Sequence, residues 1–314
     1  MAIRVAATLR IADHIASGLS TVEEMAKAAM VDVDALDGVL RHLVTAGVLG
    51  RDGAGHYSLT PRGTSLQDAD ASGLRAVLDI EGSLGRAELS FVHLLDAVRT
   101  GKASFPLLHG RSFWQDLGAD PNRTARYDEQ MGLDVTAWAR DVVPAYPWGS
   151  LGHVVDVGGG DGTLLAALLH AEATLQGTLF DQPETVRAAR ETLRAAGLEK
   201  RSEVIAGSFF DPLPPDAGGY LLCAVLHDWN DEAATAILRR CRDAAGSGGR
   251  VFVIEKTGSD GESPRTDMNL RMLAFFGARE RGVAALSALA ADAGLTLVTV
   301  HRAGELSILE AAPA

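Results

Sequence analysis

Three features of the 314-residue chain predict an α/β fold, a doubly wound and mostly parallel sheet preceded by an α-helical winged-helix module. The first is the run from His153 to Gly162 (HVVDVGGGDG), where alternating Val155 and Val157 read as a buried strand and the glycines as a turn into a helix. The second is the alternation of strand and helix patterns that follows it. The third is the beginning of the chain, where three short amphipathic helices lead into a hairpin.

Residues 1–66 make up the winged-helix unit. Ile3, Ala6, Ala7, Leu9, Ile11 and Ile15 fall close to one helical face over residues 2–17, and Gly18 stops that helix. A capping-box pattern from Ser20 to Glu23 opens the second helix. The third runs from about Asp34 to Ala46, with Leu36, Val39, Leu40, Leu43 and Val44 inward and Gly47 as its C-terminal cap. Val48 to Leu59 then reads as a hairpin around Asp52–Gly55. Such a module raises the possibility of DNA binding, but its third helix carries Asp34 and Asp37 against a single Arg41. A recognition helix needs cations for phosphates and long polar side chains for base edges. The module is therefore read as a packing and dimerisation element, with no nucleic-acid partner.

Residues 67–148 read as a helical linker broken at Gly82, Gly85, Gly101 and Gly110. Within it Trp114, Tyr127 and Met131 are candidates to line an apolar pocket, although ordinary core packing explains any one of them as well. Residues 149–314 are the sheet domain. After the glycine turn come strands near 174–181, 202–206, 219–226 and 250–255, with helices at 183–196 and 231–245 between them. Two final strands, about 296–302 and 306–311, are separated by Ala303 and Gly304 and read as a hairpin at the sheet edge.

Composition narrows the function classes. With 47% hydrophobic and 22% charged residues, the chain is of ordinary globular type, and it has no apolar stretch of membrane-spanning length. Its N-terminus lacks the uninterrupted apolar core of a signal peptide, and its only cysteines, Cys223 and Cys241, suit a reducing compartment; a cytoplasmic protein is expected. A net charge of −12 disfavours phosphate backbones as partners. Two cysteines without neighbouring histidines argue against a zinc site, and no metal is expected.

The chemistry concentrates at strand ends. Glycines at 158, 160 and 162 do not match the dinucleotide fingerprint, and no Gly-Lys-Ser/Thr follows to make a P-loop. They still let a ligand approach the backbone closely at a helix N-terminus. About 20 residues on, Asp181 ends a second strand, where a doubly wound fold places the acid for ribose hydroxyls. The strand from Tyr220 delivers His227 and Asp228 beside the same crevice; Glu255 ends another strand, and Glu280 follows a helix rich in Met272, Leu273, Phe275 and Phe276. Two carboxylates converging on one imidazole would make a base site, whereas Glu280 paired with its flanking Arg279 and Arg281 would be a surface ion pair.

The motifs VDVGGGDG (155–162), FDQP (180–183), GSFF (207–210), HDWND (227–231) and RER (279–281) occur in this order, and with them the chain resembles the S-adenosylmethionine-dependent O-methyltransferases of the plant caffeate/flavonoid type. It is most similar to their bacterial relatives in aromatic polyketide and antibiotic biosynthesis, over nearly its whole length. The resemblance implies a Rossmann-like methyltransferase domain with a seven-stranded sheet, a homodimer, S-adenosylmethionine as cofactor and a small aromatic substrate. It implies that Gly158 and Gly160 lie along the cofactor, Asp181 binds its ribose, Ser208 and Phe209 flank its adenine, and Cys223 faces it. It further implies that His227 is the general base bracketed by Glu255 and Glu280, and that Met131, Asp228 and Trp114 meet the substrate.

Three departures from that pattern stand out. Ser208 occupies the position of an acid that accepts the adenine amino group, and Cys223 that of a lysine in plant members. The chain also begins within what is usually the second or third helix of the dimerisation module, which implies a trimmed module or a truncated sequence. The implied reaction is methylation of a hydroxyl, with His227 taking the proton of a phenol whose pKa is near 10. Non-methylating chemistry on the same fold (decarboxylation or hydroxylation), N-methylation, and a ligand-sensing winged-helix regulator stay open as alternatives.

Overall fold

The structure, a computed structural model, describes residues 1–257 and 266–314. The chain divides into two units, Met1–Leu89 and Ser90–Ala314.

In the first unit the expected single helix over 2–17 is two, Ala2–Thr8 and Ile11–Ala16, because Arg10 turns left-handed at φ 54° between them. The capping box is one residue later than its sequence pattern suggested. Thr21 accepts from the Glu24 N–H, and the Glu24 carboxylate accepts from the Thr21 N–H, opening Val22–Ala29. The third helix, Val33–Thr45, ends as predicted: Gly47 at φ 70° lets its own N–H reach Val44 O and the Val48 N–H reach Leu43 O. Strands β1 (Leu49–Arg51) and β2 (Tyr57–Leu59) form the antiparallel wing. Ile11, Met25, Leu36, Leu40, Leu43 and Tyr57 fill the core of this unit. Arg41 on the third helix is held by Asp37, with Nε 2.6 Å from Oδ2.

The second unit opens with short helices and then a long one, Pro121–Val142, N-capped by Asp120. Seven strands follow: β3 (His153–Val157), β4 (Gln176–Asp181), β5 (Ser202–Ala206), β6 (Gly219–Cys223), β7 (Arg250–Lys256), β8 (Leu295–Ala303) and β9 (Leu306–Pro313). Their order is β5-β4-β3-β6-β7-β9-β8, with β9 alone running against the direction of the other six. The expected terminal hairpin is thus present, with β9 inserted beside β7 and β8 at the edge.

Two apolar cores cover the two faces of the sheet, one around Val155, Tyr220 and Leu238, the other around Val154, Leu165 and Phe252. Burial on both faces accounts for the unbroken apolar runs at residues 220–222 in β6 and 251–254 in β7. Strand order reverses between the parallel neighbours β3 and β6, and such a switch point opens a crevice at the carboxyl ends of the strands. Among the described residues no helix is long and apolar enough to cross a membrane.

Candidate active site

Gly158, Gly160 and Gly162 all have φ between 60° and 82°, a left-handed region that favours glycine. A Cβ on Gly158 would come within 2.9 Å of Val225 and 3.6 Å of Phe209, so the GSFF segment after β5 lies against this turn. A Cβ on Gly160 would meet nothing within 4 Å, so this part of the turn is open. Asp181, at the end of β4, accepts from the Gly160 N–H (2.8 Å) and the Gln182 N–H (2.6 Å). Burial pushes the Asp181 carboxyl up, and these two bonds pull it back. Ser208 turns its hydroxyl to its own loop, accepting from the Phe210 N–H at 3.3 Å. Cys223 closes β6 near Asp156 and Glu255, and burial raises its thiol well above the usual range.

The second half of the crevice is built around His227. Strand β6 stops at Cys223 rather than running to Leu226, because Ala224 adopts φ 52°, a left-handed conformation costing a non-glycine residue about 1–2 kcal/mol. A 3₁₀ turn, Leu226–Asp228, then presents the imidazole. His227 Nδ1 lies 3.2 Å from Glu280 Oε1 and 3.6 Å from Glu255 Oε2, and Nε2 lies 3.5 Å from Asp228 Oδ1. Burial disfavours the imidazolium, but Glu255, Asp228 and Glu280 outweigh it and push its pKa up to about 10. Burial likewise lifts Glu255 to about 7 and Asp228 to about 6, with the imidazole pulling both down. Glu255 also accepts from the Leu226 N–H at 3.0 Å, tying the turn to β7.

Glu280 is therefore not the surface partner of its flanking arginines. Arg279 and Arg281 both bind Asp231, each with a contact of 2.8 Å. The buried Arg281 guanidinium also donates to Leu226 O (2.7 Å) and Trp229 O (2.7 Å), clamping the 3₁₀ turn on both sides of His227. Sequence reading missed this role, since a flanking arginine in a loop looks like a counter-ion; the signal was its place in the RER motif beside Glu280.

Trp114 belongs to an aromatic wall. It stacks on Phe276 (5.4 Å, 18°) and meets Tyr127 edge-on (5.9 Å, 86°), while Phe113 packs against Phe276 and Tyr127. The helix Thr266–Phe276 that carries Phe276 packs on the His227 turn. Met131 is half-buried on the long helix. Its neighbour Gly132 lies so close to the glycine turn that a Cβ would overlap Asp161 Oδ2.

The crevice fits a cationic nucleoside cofactor. Asp156, in the middle of β3, is 1% exposed, and its Oδ2 has no partner among the described residues. Asp161 and Asp181 face the same turn. Residues 91–296 match the O-methyltransferase domain, and residues 1–68 match the O-methyltransferase dimerisation domain. The chain belongs to the O-methyltransferase family. This methyltransferase is 50% identical to 2,7-dihydroxy-5-methyl-1-naphthoate 7-O-methyltransferase of Streptomyces carzinostaticus, over 99% of this chain and 93% of that one. It is 38% identical to the aclacinomycin 10-hydroxylase RdmB of Streptomyces purpurascens, over 98% of this chain and 84% of that one. A solved O-methyltransferase of neocarzinostatin biosynthesis, in complex with S-adenosyl-L-homocysteine and 1,4-dihydroxy-2-naphthoic acid, matches with a TM-score of 0.95 at 49% identity, over 100% of this chain and 95% of that one. The methyltransferase carries a methyl group from S-adenosylmethionine to a hydroxyl group on a Rossmann-like fold.

Proposed function

We propose that the acceptor is a phenolic hydroxyl on a small fused aromatic acid of the hydroxynaphthoate type, with His227 as the general base. The observation that carries this reading is the imidazole ringed by three carboxylates beside an aromatic wall. The 50% identical naphthoate 7-O-methyltransferase supports the substrate class.

S-Adenosylmethionine supplies an electrophilic methyl on a sulfonium. Asp181 would accept from its ribose hydroxyls, the 158–160 turn would lie along it, Phe209 and Ser208 would flank its adenine, and Cys223 would face it. Trp114 and Met131 would bracket the aromatic substrate. Glu280 and Glu255 hold Nδ1 protonated, which leaves Nε2 to take the hydroxyl proton while Asp228 orients the acceptor. A pKa near 10 matches that of a phenol, so the proton passes between groups of similar basicity. Fixing oxygen and methyl in line supplies much of the remaining acceleration.

Incubation with methyl-labelled cofactor and a panel of hydroxynaphthoates, phenolic polyketides and tyrosine-derived phenols tests this. Label appearing in an ether on the hydroxynaphthoates is the expected result. Label transferred only to amines, or a hydroxylated product with the label left on the cofactor, would overturn it. A homodimer is part of the same proposal, supported by the dimerisation-domain match and by exposed Met1, Ile3, Met30 and Val33 in the first unit. Light scattering at micromolar concentration should return twice the chain mass; a monomer would refute it.

A further inference from the structure

Asp128 has no place in the roles derived so far. It lies four residues before Gly132 on the long helix, and residues so spaced share one helical face. The Gly132 side of that face is pressed against Asp161, so Asp128 points toward the glycine turn as well. Burial, then the negative charges of Asp181 and Asp161, push its carboxyl up to about 7. Asp156 repeats the pattern from below. A Cβ on Gly159 would lie 2.8 Å from its Oδ2, that oxygen is unpartnered among the described residues, and the same three causes lift it to about 7. Burial raises the hydroxyl of Tyr127 and the thiol of Cys223, and nearby acids add to it, Asp128 and Asp181 among them for Tyr127 and Asp156 for Cys223. Among the described residues, the charges that shift Asp128 and Asp156 are those of Asp181 and Asp161, both negative. Asp128 is half-buried and Asp156 fully buried, and a carboxylate so placed is stabilised by a positive charge, which a cationic ligand would bring.

We propose that Asp128 is a cofactor-binding residue that holds the positive charge of S-adenosylmethionine, so that the crevice grips the charged cofactor in preference to its neutral-sulfur product. The inference rests on reading this crevice as the cofactor site. Methyl transfer breaks one S–CH3 bond, leaves its electron pair on sulfur, forms one O–CH3 bond and sends the hydroxyl proton to His227. The sulfonium charge disappears in that step, and with it the contact that Asp128 makes.

Calorimetry on the full chain with S-adenosylmethionine and S-adenosylhomocysteine separates the possibilities. In Asp128→Asn the Kd for S-adenosylmethionine should rise about tenfold, the effect of one charge-assisted contact, while that for S-adenosylhomocysteine changes less than about threefold. Equal weakening of both ligands, or none, would overturn the proposal. A wild-type measurement stands apart from any folding defect of the variant. At pH 6.5, below the ordinary titration of an α-amino group at about 7.7–8.0, heats in two buffers of different ionisation enthalpy should reveal release of about 0.5–1 proton with S-adenosylmethionine. The product should release clearly less, and identical proton release for both ligands would refute the assignment. Failure of both ligands to bind the wild-type chain would overturn the cofactor reading itself, and this proposal with it.

Discussion

Two groups of buried acids share the crevice, and they are neutralised in opposite ways. Around His227, three carboxylates face a side chain that becomes a cation, and the raised imidazole pKa expresses that attraction. Around the glycine turn, Asp128, Asp156, Asp161 and Asp181 face one another, and the raised carboxyl pKa values of Asp128 and Asp156 express repulsion added to burial. The first group carries its counter-charge within the fold; the second, on the proposal made above, takes it from a ligand. The contrast separates chemistry from binding, because damage to the histidine group should leave cofactor affinity alone, and damage to the glycine-turn group should not.

The sharpest test of that separation is His227→Ala. Turnover should fall about 10²–10⁴-fold while calorimetric affinity for S-adenosylhomocysteine stays within about twofold, since no cofactor contact is assigned to the imidazole. Wild-type turnover at pH 7 would remove His227 as the base.

Next in size comes Asp181→Ala, which acts on the other group. Each ribose hydroxyl bonded to a carboxylate contributes about 1.5–3 kcal/mol, so cofactor affinity should drop about 10–100-fold. The Gly160 N–H also loses its acceptor. Unchanged affinity in a folded variant would take Asp181 out of the site.

Arg281→Lys tests whether the clamp on the 3₁₀ turn serves the base. Lysine keeps the charge but cannot reach Leu226 O, Trp229 O and Asp231 together, so kcat should fall about tenfold by misplacing the imidazole, with cofactor Kd unchanged. A proportional loss of cofactor binding would mean that the clamp holds the whole crevice instead.

The smallest expected effect is a displaced pH profile. His227 must be neutral to accept a proton, and its pKa is raised, so kcat/KM should climb as pH rises from neutrality toward about 10. Glu280→Gln removes one of the anions that favour the imidazolium, which should move the rise to lower pH by about one unit. A profile that stays in place, or moves upward, would show that Glu280 does not act on His227.

Local patterns were legible wherever the controlling interactions are close in sequence. The Gly47 cap, the helix Asp231–Ala245 and the left-handed glycines at 158, 160 and 162 all follow from residue type and spacing. Local pattern failed at Arg10 and Ala224, two non-glycine residues in left-handed conformations that hydrophobic periodicity passes over without a break. At Ala224 the error mattered, since it moved His227 from a strand end to a separately anchored turn.

From its sequence alone, the protein's order of strands and helices, its glycine turn, the acid at Asp181 and the candidate base His227 were determined, because each depends on a short run of residues and the backbone conformations it allows. Only the tertiary structure decided between Glu280 as a surface ion partner and Glu280 as a neighbour of His227. That choice depends on Asp231 drawing both flanking arginines away across about 50 residues. Only the tertiary structure, too, brought Asp128 to the glycine turn. Its proposed role rests on a helix face meeting Asp161, and the burial and repulsion that perturb a carboxyl arise from neighbours far along the chain.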